Sequence, residues 1–152
     1  MTSSTEADIR RVAQGARVSL KAAVQLLMSE VMHEVVLRTP VDTGFLRANW
    51  VLSIGTQPLS IREARESDGG TGTPPPSPVT VTRLATELNQ FEIGDILYFV
   101  NNANYVTAIE YGRADQPNRT PAAMLRNTLA IVDVLEERAV EQAKRFRRVN
   151  GG

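Results

Sequence analysis

Apolar side chains recur at spacings of three and four through Ile9, Val12, Ala13, Ala16, Leu20, Ala23, Val24, Leu27, Val31 and Val35, and no proline precedes Pro40. The spacing predicts one amphipathic helix running to Arg38, on the order of 50 Å long at the rise of an α-helix. Ser3, Ser4 or Thr5 can cap it, and Glu6 and Asp8 suit the positive end of its dipole. Gly15 and Ser19 are the positions where such a long element can kink or admit a close neighbour.

The pattern then changes abruptly. Pro40 stops the helix at Thr39, Val41-Asp42-Thr43-Gly44 has turn chemistry, and Phe45, Leu46 and Trp50 return the chain to apolar packing. Helix stop, tight turn and strand start are thus expected back to back. Trp50 to Thr56, with Val51, Leu52 and Ile54, reads as a strand. Gln57 to Pro78 carries Arg62, Glu63, Arg65, Glu66 and Asp68 into Gly-Gly-Thr-Gly-Thr-Pro-Pro-Pro-Ser-Pro, which suits neither a helix nor a central strand. It is expected as an exposed loop or arm: either a disordered insertion or an arm that orders on a neighbouring subunit.

Val79 to Phe91 reads as a helix with Val81, Leu84, Ala85 and Leu88 on one face, and Ile96 to Val100 as a buried strand. Tyr105 to Tyr111 is a short helix closed by Gly112. A second long helix is expected with Thr120 as its cap and Pro121 in its first position, and with Met124, Leu125, Leu129, Val132, Leu135, Ala139 and Phe146 as its apolar stripe. The fold class is α+β: two long helices packed with a small, mostly antiparallel sheet, one or two short helices and a Pro/Gly-rich loop. No internal repeat is visible, and 152 residues suit a single domain.

Composition narrows the chemistry. With no cysteine, disulfides and thiolate metal sites are excluded. Lys plus Arg equals Asp plus Glu at 17 each, so there is no basic excess to hold a polyanion; 15 of the 17 bases are Arg, which favours bidentate pairing with carboxylates. No run approaches the length of a membrane span, and the polar, acidic start has no signal-peptide pattern, so a soluble, non-membrane protein is expected.

His33 is the single histidine, so a His-based triad or a two-His metal site cannot be assembled in one chain, and Glu30 and Glu34 beside it make a weak ligand set. Gly69, Gly70 and Gly72 are followed by Pro74 to Pro76 where a phosphate-binding helix would have to begin. Glu137, Glu141 and Arg145 form an ion-paired helical face. The terminal Lys144-Arg145-Phe146-Arg147-Arg148 run either complements a helix dipole or touches DNA phosphates or an acidic partner. No catalytic residue, cofactor site or metal site is expected, and a building block is expected rather than an enzyme.

Three segments in this order carry a resemblance: T-P-V-D-T-G-x-L-R (Thr39 to Arg47), Y-V-T-A-I-E-Y-G (Tyr105 to Gly112) and P-x-R-x-P-A-x-M-L-R (Pro117 to Arg126). The chain resembles the tail-completion and neck proteins of long-tailed bacteriophages, small virion proteins of the head-to-tail joining region. The resemblance spans nearly the whole chain outside Gln57 to Pro78; Ala48-Asn49-Trp50 replaces the small polar residues common there.

It implies a virion protein of the neck or tail, assembled in the host cytoplasm as a homo-oligomeric ring. Its partners would be head connector or adaptor proteins and tail terminator or tail tube proteins, with double-stranded DNA passing through the channel without specific binding. A tail terminator ring capping the tail tube is the neighbouring alternative, and a small regulatory DNA-binding protein a third. For the matching residues it implies structural and subunit-contact roles. Asp42, Thr43 and Gly44 would fix the sharp reversal from helix to sheet. Arg47 would pair with Glu110 or with a carboxylate on the next subunit, Tyr105 and Tyr111 would anchor the short helix, and Pro40, Leu46, Gly112, Arg119 and Arg126 would serve turns or subunit contacts.

Overall fold

A computed structural model describes residues 4–16, 18–41, 44–63 and 78–149. The fold is α+β, with α1 (Ser4–Ala16), α2 (Leu20–Arg38), α3 (Phe45–Ala48), β1 (Trp50–Ile54), α4 (Pro78–Asn89), β2 (Leu97–Asn101), α5 (Val106–Tyr111), α6 (Met124–Leu129) and α7 (Val132–Val149). The turn residues Asp42 and Thr43, the cap candidate Ser3 and the part of the expected arm from 64 to 77 lie outside the described residues.

The expected N-terminal helix is two helices. Ser19 takes an extended backbone, φ −65° and ψ 158°, and its hydroxyl accepts the backbone N–H of Ala22 at 3.2 Å, so it starts a new helix. The three-and-four spacing runs straight through this break, which is why the pattern alone reads as continuous. Gly15 takes the second role considered for it: a Cβ there would meet Val140 Cγ2 at 3.3 Å, so α1 lies close on α7.

α2 is the central helix. It packs against α1, α4, α6 and α7, and its buried residues, Ala23, Leu27, Glu30, Met32, Glu34, Val35 and Val36, point to more than one side. Val12, Ala23 and Ala139 form a small cluster joining α1, α2 and α7. The main core gathers Met32, Val35 and Val36 of α2 with Leu46, Trp50, Leu52, Leu84, Leu88 and Met124.

The reversal after α2 contains an unexpected helical turn. Gly44 at φ 74°, a left-handed conformation that glycine tolerates, is followed by α3 before the strand begins. β1 pairs antiparallel with β2 in the register Trp50↔Asn101, Leu52↔Phe99 and Ile54↔Leu97. Phe99 and Leu97 pack on the main core, and the Trp50 and Phe99 rings stack at 4.8 Å. β1 ends two residues earlier than expected, because Gly55 turns away at φ 79°. β2 is half-buried rather than buried, and Ile96 stands outside it, exposed, since a two-stranded sheet has only one face on the helices.

α4 turns a slightly different face inward than expected. Thr80, Leu84 and Leu88 are buried, whereas Val81 and Ala85 are exposed. The expected second long helix is also divided. Thr120 and Pro121 precede it in irregular chain, Ala123 adopts a left-handed φ of 47°, and α6 begins at Met124. The buried Thr128 hydroxyl donates to Met124 O at 2.7 Å, and Ile131 N–H donates to Thr128 O at 3.1 Å. This back-bonding and the tight turn after it separate α6 from α7. Leu129 and Phe146, expected on the apolar stripe, are exposed.

Candidate assembly surface

Thr39 sits at the end of α2 with an extended ψ of 121°, as the following proline requires, and is fully buried. Its hydroxyl donates to Val35 O at 2.7 Å and accepts the indole N–H of Trp50 at 2.8 Å. Arg47 is 0% exposed. Its Nε donates to Thr39 O at 3.1 Å and its Nη2 to Leu37 O at 2.9 Å, so the guanidinium satisfies carbonyls at the negative end of α2. Arg47 therefore stays inside its own chain and does not present its charge to a neighbour.

Glu110, the other half of the expected pair, belongs to a different cluster. It is buried at 4% exposure, and its Oε2 accepts Leu125 N–H at 3.1 Å while Oε1 accepts Arg126 N–H at 3.2 Å and Arg126 Nε at 3.3 Å. Ala123, the residue in the cap position of α6, makes no side-chain cap bond. A carboxylate 15 residues upstream thus caps the helix, favourably placed at the positive end of its dipole. Arg126 also donates from Nη2 to Glu110 O and lies 4.7 Å from the centre of the Tyr111 ring.

Tyr105 and Tyr111 are both exposed, so they do not anchor α5 from within; its buried residue is Glu110. Tyr105 lies beside Phe45, ring centres 6.3 Å apart. Gly112 closes α5 at φ 86°, donating to Ala108 O at 2.9 Å, and a Cβ on it would come within 3.1 Å of Pro121 Cγ. Ala122 N–H donates to Ile109 O at 2.9 Å.

The three sequence landmarks meet here. Pro40 from the first, Ile109 and Gly112 from the second, and Arg119 and Pro121 from the third line one cavity of about 230 Å³. Pro40 and Arg119 are exposed at its rim, and Leu46 is buried beneath the reversal, its carbonyl accepting Asn101 Nδ2 at 2.7 Å.

Polar contacts that sequence reasoning missed join the long helices. Glu34 of α2 pairs with Arg138 of α7 and, at 3.3 Å, with Arg38; Glu30 accepts from Gln142. Arg11 of α1 donates to Glu136 of α7 at 2.6 Å. Burial pushes the Glu30 carboxyl above its ordinary range, against the pull of Arg138 and His33. Burial also raises Glu136, opposed by Arg11 and reinforced by Asp8. These acids lie at ordinary helical spacings, so nothing in the pattern distinguished them from surface charges. His33 is exposed beside Glu30.

Several large apolar side chains remain in water: Leu59, Ile61, Ile93, Ile96, Tyr111 and Phe146. Leu59 and Ile61 sit in a strap held by side-chain amides. Asn102 Nδ2 donates to Pro58 O at 2.8 Å and to Ser60 O at 3.2 Å. The Asn49 carboxamide accepts Arg62 N–H at 2.7 Å and donates to Arg62 O at 3.0 Å, as a neighbouring strand would. Among the described residues, no helix is long and apolar enough to cross a membrane, and no group of three or more His, Cys, Asp or Glu could hold a metal ion.

Comparison with protein-family models, with curated proteins and with solved structures finds no match to this chain.

Proposed function

We propose that the protein is a structural subunit of the phage neck, forming a ring that joins the head connector to the tail and leaves a channel for the genome. The observation that carries this reading is the convergence of the three landmark segments on one corner of the fold. The landmark segments supply Pro40, Ile109, Gly112, Arg119 and Pro121 to that cavity, while Arg47 binds carbonyls at the end of α2 and Glu110 caps α6. The groups that make the resemblance are spent on rigidity, and exposed apolar side chains are left for contacts between copies.

A closed ring requires two different patches on each subunit. Balanced charge suits a conduit, because a channel with a large basic excess would retain the DNA that must pass. Deleting the gene from the phage that carries it tests the proposal: filled heads and separate, normal-length tails are expected in the lysate. Normal joined virions would refute it, and joined particles with tails of abnormal length would assign the protein to the tail terminator role.

A further inference from the structure

We infer that α1 is an exchangeable helix: it swings out, continues α2 as one straight helix, and takes the place of α1 on a second copy of this chain. α1 ends at Ala16 and α2 begins at Leu20, and the residues between them, Arg17, Val18 and Ser19, include neither glycine nor proline. In a straight helix the stripe from Ile9 through Val12, Ala16, Leu20 and Ala23 to Leu27 would lie within about 80° of arc at 3.6 residues per turn. One sequence thus suits both a hairpin and a single rod.

Arg11 reaches Glu136 and Gly15 faces Val140, so α1 runs in the same direction as α7. Glu34 pairs with Arg138 and Glu30 with Gln142, so α2 runs the opposite way, and α1 doubles back on it. The seat of α1 is small and apart from the main core. Val12 is buried with Ala23 and Ala139, Ile9 and Ala13 pack beside them, and among the described residues α1 adds nothing to the main cluster. Its polar edge is poorly matched: Asp8, Asp133 and Glu136 surround the one guanidinium of Arg11, and Glu136 Oε1 is buried without a hydrogen bond. Departure of α1 therefore leaves the main core intact. The bared seat needs the groups that α1 carries, so its occupant is the α1 of a second copy.

The hairpin fixes the symmetry of the product. A straightened α1 has the direction of its own α2, and the seat requires it to run against the α2 of the copy that receives it. The two α2 helices are then antiparallel, as a two-fold axis makes them and as neighbours in a ring of three or more copies cannot be. The product is a closed dimer in which each copy gives its α1 and receives the other's. Every contact of the seat is kept, and two interhelix turns become continuous helix. This dimer is a separate object from the ring of the proposed function.

Because the protein has no cysteine, Gly15→Cys with Val140→Cys reads the exchange directly. A Cβ at position 15 would lie 3.3 Å from Val140 Cγ2, where the sulfur of a cysteine would stand. The bond closes inside one chain in the hairpin and between two chains after exchange. Refolded from urea at its highest soluble concentration and then oxidised, the double variant is expected to give a band of twice the mass on a denaturing gel, and nothing larger. Ser19 already has φ −65°, the angle that proline fixes, whereas proline inside a straight helix breaks it. Adding Ser19→Pro should lower the dimer band on the order of 100-fold. Adding Val18→Ala with Ser19→Ala, which removes the cap and favours helix, should raise it several-fold.

Bonds closed only within single chains would overturn the inference. So would a ladder of larger species, dimers from either cysteine alone, or a dimer band that ignores both hinge variants. Exchanged dimers from a chain absent from finished particles would keep the exchange and lose the neck reading; a neck ring whose chain gives only internal bonds would do the reverse.

Discussion

Trp50 and Thr39, 11 residues apart, share one hydrogen bond at 2.8 Å that ties the first residue of β1 to the end of α2. Thr39 passes it on to Val35 O, and the neighbouring Arg47 binds the carbonyls of Leu37 and Thr39. A lysine at 47 offers one compact donor group in place of a planar fork and cannot reproduce both bonds. Arg47→Lys is expected to cost about 2–3 kcal/mol, from one or more buried carbonyls left without a donor. Thermal unfolding followed by circular dichroism should show a drop of roughly 5–10 °C. An unchanged melting temperature would show that Arg47 does not hold the helix end.

Glu110 caps a helix that has no cap of its own. Glu110→Ala removes the acceptor for Leu125 and Arg126 N–H and should destabilise the fold by about 2–3 kcal/mol. Amide hydrogen exchange should quicken first in 124–129. Uniform quickening across the chain, with no excess there, would contradict the capping role.

Ala123 occupies a conformation that costs a residue with a side chain roughly 1–2 kcal/mol. Glycine removes that strain but adds freedom to the unfolded chain worth about 0.4–1 kcal/mol. Ala123→Gly should therefore stabilise the protein in urea unfolding, by up to about 1.6 kcal/mol, the largest difference those two ranges allow. A destabilisation would mean that the methyl group packs usefully.

Buried carboxyls set an unusual pH dependence. Glu30 and Glu136 are both raised chiefly by burial, so the folded state binds protons at a higher pH than the unfolded chain does. Their charged forms oppose folding at neutral pH, and that penalty is relieved as pH falls through the folded values toward about 4.3, the unfolded glutamate value. Asp115 and Glu141 are lowered by Arg113 and Lys144, so their loss comes at more acidic pH and leaves this window clear. Unfolding free energy should rise as pH falls from neutral toward the unfolded glutamate value. Glu30→Gln with Glu136→Gln should flatten the rise; a wild-type stability that falls over this interval would contradict the assignment.

Much of the fold was legible because local chemistry acted alone. Pro40 ended a helix, Gly112 closed one, and the alternation around Leu52 gave a strand. The break at Ser19 was hidden because both helices carry the same period across it. Arg47 and Glu110 were singled out as members of the motifs, but their partners were not legible. Charge suggested pairing them with each other, whereas helix ends decided the outcome: Arg47 faces the carbonyl end of α2 and Glu110 the amide end of α6. Phe146 was read as core because it continues a helical stripe, yet it stands exposed at a cavity it lines with Val18, Leu26 and Leu88.

The central claim, that copies of this chain form a collar between head and tail, is tested most directly by a reconstruction of the intact particle. The account predicts a closed ring at the head-tail junction into which this α+β fold fits, with its channel around the DNA. Finished, infectious particles that contain no copy of the chain would contradict it.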